Sequence, residues 1–206
     1  MEKSIPQKAK KVSPSQRGLT FIEVLVWISV FLSAMWAIVG SILGFYRANT
    51  YTLEQAQAVS SARRSVEGVV AVIREANYSS EGAYPVISMS TSSISFYADI
   101  DDDLLLEKVR YFVEGTNLKR GVVDPTGDPP AYTGAEVVTV VADYIRNIEQ
   151  NKNAFTFYDV AGAQITNLSQ VTALRFVRTD MVVNVSPEKL PNELTLRTSA
   201  TLRNLR

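Results

Sequence analysis

Cysteine and histidine are both absent from the 206 residues of this chain. Without cysteine there is no disulfide and no thiolate nucleophile, an absence compatible with any cellular compartment. Without histidine the chain lacks the commonest general base and metal ligand. The sequence patterns GxSxG and HExxH and the glycine-rich phosphate loop are missing as well. No catalytic residue, resident metal or cofactor is therefore expected. An enzyme that merely uses an apolar anchor is the competing reading, and hydrolysis of a generic ester or glycan would revive it. Charge is also lacking locally. Between Leu19 and Tyr46 only Glu23 is charged, and that run contains no proline.

The run exceeds the roughly 20 residues that a helix needs to cross a bilayer. A carboxylate inside it costs about 2.5–3.5 kcal/mol near the centre and less near an end, so Glu23 calls for a function and a partner. Lys3, Lys8, Lys10, Lys11 and Arg17 precede the run against Glu2 alone, and Pro6 and Pro14 discourage a helix there. A secretory signal places its small-residue cut site after the apolar stretch. Here Gly18 comes before it, so a cut at Gly18 would remove the basic leader and leave the membrane helix in place. Of the 21 Lys+Arg and 21 Asp+Glu, five basic and one acidic residue lie in this leader, leaving 16 basic against 20 acidic. The leader is expected in the cytoplasm and the bulk of the chain outside the cytoplasmic membrane. An acidic exterior argues against a nonspecific nucleic-acid surface; Arg63-Arg64, Lys119-Arg120 and the Arg197/Arg203/Arg206 set are too scattered to reverse it.

Arg17-Gly18-Leu19-Thr20-Phe21-Ile22-Glu23-Val24 closely resembles the class III leader of type IV pilins and pseudopilins, with Leu19 where phenylalanine is usual. The resemblance implies cleavage between Gly18 and Leu19 by a prepilin peptidase, which also methylates the new N-terminus at Leu19. It implies that Glu23 is the assembly residue, pairing with the N-terminal amine of a neighbouring subunit. The chemistry is reasonable on its own: an amine and a carboxylate, each unfavourable alone in lipid, compensate one another. Pairing within one helix is an alternative, because amine and carboxylate lie about a turn apart.

Beyond Tyr46 the residues Leu53, Ala56, Val59, Ala62, Val66, Val69, Val70 and Ile73 recur at helical spacing. The spacing predicts one nearly continuous helix from about Thr20 to Ala76, in lipid over 19–46 and amphipathic over 47–76. Gly40 and Gly44 form a small-xxx-small pair, read either as a helix-packing site or as a point of flexibility. Residues 77–206 predict one antiparallel sheet domain outside the membrane. Its expected strands are Ile94–Asp99, Lys108–Glu114, Asn117–Val123, Glu136–Val141, Ala154–Asp159, Val171–Arg178, Met181–Ser186 and Leu194–Arg203. Glu114 to Asn117 reads as a hairpin turn, and Tyr78–Gly82 and Ser88–Ser93 read as serine-rich turns. Asp143–Gln150 is open between helix and strand. The fold class is thus α+β, a long N-terminal helix on an antiparallel sheet.

VRYFVEGTNLKR, FTFYD and TSATLRNLR look like J-type minor pseudopilins of type II secretion and PilW-like minor pilins. That resemblance implies a minor structural subunit near the tip of a pseudopilus, helping to initiate it. The partners it implies are other major and minor pilin-like subunits, the prepilin peptidase and the membrane. A type IV pilus, a DNA-uptake apparatus or a surface adhesin is the alternative; in the adhesin, Tyr78, Tyr84, Tyr132 and Tyr144 would be contacts. The acidic run Asp99–Asp103 offers calcium-type oxygens but lacks the glycine and distal glutamate of an EF-hand. A solvated turn is the expectation there.

Overall fold

A computed structural model of the chain describes residues 18–101, 103, 105–186 and 193–205. The expected leader lies outside these residues apart from Gly18. Helix α1 (Phe21–Arg74) is followed by β1 (Val86–Met89), β2 (Ser93–Ala98), β3 (Glu107–Glu114), β4 (Asn117–Val123), β5 (Val137–Ala142), β6 (Phe155–Tyr158), β7 (Phe176–Val183) and β8 (Leu194–Thr201). The chain divides into two units, the first ending at Asn49 and the second running from Thr50 onward.

In the first unit every described residue is exposed, and the helix is apolar all round. A helix without a polar face is a core helix or a membrane helix. Among the described residues this one has no core around it, and by length and composition it is a candidate membrane span. Two of its serines bond back to the helix: Ser29 Oγ donates to Val26 O and Ser33 Oγ to Ser29 O, both at 2.8 Å. Gly40 and Gly44 do not break the helix.

The second unit holds the rest of α1 and all the strands. Its buried stripe is Tyr51, Gln55, Ala58, Ala62, Val66, Val69, Val70 and Ile73. The expected stripe is right from Val59 onward, with Val59 partly buried against the core, and wrong before it: Leu53 and Ala56 face solvent. The reason is polar satisfaction. Gln55 Oε1 accepts from Val185 N at 2.9 Å and its Nε2 donates to Val183 O at 3.4 Å, so the amide extends the ladder just past β7. Tyr51 OH donates to Ser186 O at 3.3 Å. Hydrophobicity alone does not place a glutamine inside.

The strands are antiparallel throughout but form two sheets, a five-stranded one in the order β1-β2-β3-β4-β5 and a three-stranded one in the order β6-β7-β8. β4 has the expected bounds, and Gly115 turns the β3–β4 hairpin at a left-handed φ of 59°. Two expected strands merge into β7, while Val171–Ala173 is a 3-10 turn. β1 was not expected, because Ser88 lies in a serine-rich run. Only Ser90–Ser93 is the turn, where Ser90 Oγ accepts from Ser93 N at 2.9 Å and Ser90 N donates to Ser93 O at 2.8 Å. Asp143–Gln150 is neither helix nor strand. Ile145 bridges to Val183, and the segment docks on β7.

The core combines the α1 stripe with Ile94, Phe96, Val109 and Leu118 from one sheet, Phe155, Phe157, Val177, Met181 and Ala200 from the other, and Leu202 just past β8. Buried Asn147 pins the docked segment. Its Nδ2 donates to Asp180 O at 2.7 Å, and its Oδ1 accepts from Val182 N at 2.9 Å. Asn147→Ala strands both backbone groups away from water, so the expected loss of stability is about 2–4 kcal/mol. Urea unfolding of the parent and the variant measures it; a loss under about 1 kcal/mol would show that water replaces the amide.

Candidate functional site

Gly18, Leu19 and Thr20 precede α1 as exposed, non-helical residues. A Cβ on Gly18 would meet nothing within 4 Å, and the residue is not in the left-handed region. Nothing in the chain's own fold therefore requires glycine at 18. The same holds for Gly40 and Gly44, where a Cβ would also meet nothing within 4 Å. Glycine inside a helix costs about 1 kcal/mol relative to alanine, and no internal contact offsets it at either position.

Glu23 sits in the first turn of α1 and folds back on the helix start. Its Oε2 accepts from Thr20 N and from Thr20 Oγ1, both at 2.9 Å, while Glu23 N lies 3.4 Å from Thr20 Oγ1. This reciprocal pattern is a capping box, with threonine at the N-cap and glutamate three residues on. The T-x-x-E signal of such a box is legible in the sequence at Thr20 to Glu23. The carboxylate also lies where the partial positive charge of the helix N-terminus favours it. It is thereby held on Thr20, the residue after Leu19, and is exposed among the described residues.

The acidic run is not only a solvated turn. Asp99 and Asp101 come together with Glu107 of β3, and their carboxylate oxygens lie within 4.8 Å of one another. Glu107 is 2% exposed and accepts from Ile100 N at 2.8 Å. Asp103 Oδ1 caps Leu105 N at 2.8 Å. The sequence run did not include Glu107, because only the β2–β3 register returns it to Ala98. Burial pushes the Glu107 carboxyl above its ordinary range; Asp101 and Asp103 add to this, against the opposing Ile100 hydrogen bond.

The basic pairs named above do not gather. Arg63 pairs with Glu67 at 3.1 Å, Lys119 with Glu114, and Arg197 with Asp180 at 2.5 Å. Of the four tyrosines, Tyr132 donates to Leu106 O at 2.5 Å and Tyr84 to Thr172 O at 3.3 Å. Tyr78 packs edge-on against Tyr84 with ring centroids 6.1 Å apart, and Tyr144 is exposed at a left-handed φ of 61°.

Comparison with protein-family models and with curated proteins finds no match to this chain. The architecture itself is pilin-like: a long N-terminal helix, apolar enough at its start to cross a membrane, whose later turns pack on antiparallel sheets.

Glu107 supplies a test of the acidic cluster. An acid whose pKa is raised by folding holds its proton more tightly in the folded state, so stability falls as pH climbs from the unfolded pKa through the folded one. Glu107→Gln keeps an acceptor for Ile100 N–H and cannot ionise. It should unfold at a higher temperature than the parent at pH 7, with the gap closing as pH drops toward the ordinary glutamate pKa. A gap that is absent or reversed at pH 7 would mean that the carboxylate is stabilised where it sits.

Proposed function

We propose that the chain is a minor pilin-like structural subunit of the pseudopilin type, which assembles with other pilin-like subunits near the tip of a type II secretion pseudopilus and helps to initiate it. Prepilin peptidase hydrolyses the Gly18–Leu19 amide, leaving a carboxylate on Gly18 and a free amine on Leu19, which is then methylated without losing its charge. The chain stays anchored by α1, with the leader side in the cytoplasm and the sheets outside the membrane. The observation that carries this reading is the Glu23 carboxylate, the one charge between Leu19 and Tyr46, exposed in the first turn of α1 and hydrogen-bonded to Thr20, the residue after Leu19.

Three further observations support it. Gly18 has room for a side chain, so its identity answers to something outside the chain, as a peptidase subsite would require. Gly40 and Gly44 have no internal reason to be small, and both suit close approach by another apolar helix. An ammonium and a carboxylate brought together in lipid relieve each other's desolvation. That attraction fixes the axial register of an incoming helix against its neighbour.

Three variants test the reading in cells that make the cognate peptidase and partner subunits. Gly18→Leu should leave the basic leader attached, as intact mass spectrometry will read; normal maturation would overturn the cut site. Glu23→Gln preserves the hydrogen bonds to Thr20 but removes the charge, whereas Glu23→Val removes both. If the charge recruits the neighbour, both variants mature and insert normally yet lose most co-purification with partner subunits. If Glu23 serves only as a cap, Glu23→Gln assembles as the parent does and the pairing role falls.

A further inference from the structure

An open sheet edge presents a row of unpaired N–H and C=O groups, and proteins shorten, bulge, charge or cover such edges. The two sheets here have the edges β1, β5, β6 and β8. β1 has 4 residues, carries a register shift between Val86 and Ser88, and lies against the 171–173 turn. β6 also has 4 residues, and Gln164 folds back to bridge its last residue, Tyr158. β8 carries Arg197, and its Ser199 carbonyl accepts from Arg74 at 3.2 Å.

β5 has no such device along most of its length. Val-Val-Thr-Val-Val-Ala holds no charge and no proline, and its one register irregularity falls at the Val141 end. Val138 and Val140 point to one face of the sheet and Val137 to the other, yet they are 45%, 53% and 63% exposed. Among the described residues, the hydrogen bond that reaches β5 from outside its sheet comes from Ser65 Oγ to Val141 O, at 2.5 Å. Val137 to Val140 is thus, among the described residues, a regular, β-branched edge with nothing on it.

We propose that this edge takes an extended strand from a different subunit, added antiparallel, with β-branched side chains against the valines and, as its one charge, a lysine or arginine opposite Asp143. An extended strand is the one backbone form whose donors and acceptors match the spacing of an open edge, and strand addition of this kind is a recurrent mode of recognition. A second copy of this chain fits poorly. The antiparallel register that pairs all of β5 with itself sets Glu136 against Asp143 at both ends, and like charges directly opposite one another are destabilising.

Charge selects the partner's first residue. At the start of β5, Glu136 is already held by Arg110 in a two-pronged pair of 2.6 and 2.8 Å, which keeps its carboxyl below the usual range. At the other end Asp143 shares a hollow with Glu54, Gln57 and Tyr144, and neither acid has a cationic partner among the described residues. The first residue of an antiparallel strand lies beside that hollow. The identity of the neighbour as a pilin-like subunit rests on the function proposed above, whereas strand addition does not.

The test uses the full chain, isotope-labelled in detergent micelles, with acetyl-Lys-Val-Thr-Val-Thr-Val-amide as the probe and amide hydrogen exchange as the readout. Saturating peptide should slow exchange of the outward amides within Val137–Val140 by about tenfold or more and leave the core amides unchanged. Changing the peptide's lysine to glutamate should weaken binding, and proline in place of both threonines should abolish it. Val140→Lys, at an exposed position, should abolish binding while the exchange pattern of the core stays that of the parent. Equal protection by the proline peptide, protection centred elsewhere, or none at about millimolar peptide overturns the proposal. Protection of β5 that grows with protein concentration alone would assign the edge to a second copy and overturn the choice of partner. None of these outcomes involves Gly18 or Glu23, so the filament reading stands or falls separately.

Discussion

Both sheets depend on one face of α1. Ala58, Ala62, Val66, Val69 and Ile73 lie in one buried cluster with side chains from both sheets. Polar contacts at its margins reach both sheets: Ser65 meets β5, Gln55 meets the end of β7, and Arg74 meets β8. Neither sheet is self-sufficient. The three-stranded sheet has only β6, β7 and β8 over which to bury its apolar face, and small sheets need a packing partner to persist. The helix supplies that partner, so the two sheets share a core instead of forming separate domains.

The composition of the same helix changes along its length. In the first unit no face is polar, and the hydroxyls of Ser29 and Ser33 are turned back onto the helix backbone. From Tyr51 on, charges appear between the buried positions. Glu23 is the exception to the apolar rule, and its geometry reconciles two demands. A helix start needs partners for its first N–H groups, and a carboxylate in lipid needs donors. Thr20 and Glu23 meet both needs within one turn. The helix N-terminus also favours the carboxylate's charge, so donors and dipole both act on Glu23 within the first turn.

The treatment of the sheet edges follows from the same economy of surface. Where the chain has a turn, a charge or a helix at hand, it protects an edge. At β5 it leaves valines on both faces in water. For a subunit that works inside an assembly, such an edge is covered by its neighbours, whereas in an isolated soluble domain it would invite unspecific pairing. The buried Arg120 Nε and Thr179 Oγ1 lack partners, and the structure offers no physical account of either.

Much of this protein was legible from local pattern. The charge-free run, the basic segment before Gly18, the isolated Glu23 and the α+β class are properties of neighbouring residues along the chain. The bounds of β4 and its hairpin follow from alternation and a glycine turn. What the sequence could not determine depended on which distant groups meet. Gln55 is buried and Leu53 exposed because the end of β7 offers the glutamine a donor and an acceptor. β1 exists because β2 is there to pair with residues that read as part of a turn. Glu107 joins Asp99 and Asp101 through strand register, and β5 becomes an unprotected edge only because no strand follows it in the sheet order. Local sequence sets what each segment can become, since propensity, charge and solvent preference act residue by residue. Tertiary structure alone decided the buried polar positions, the division into two sheets and the open edge, since hydrogen-bond partners and neighbours are properties of the folded arrangement.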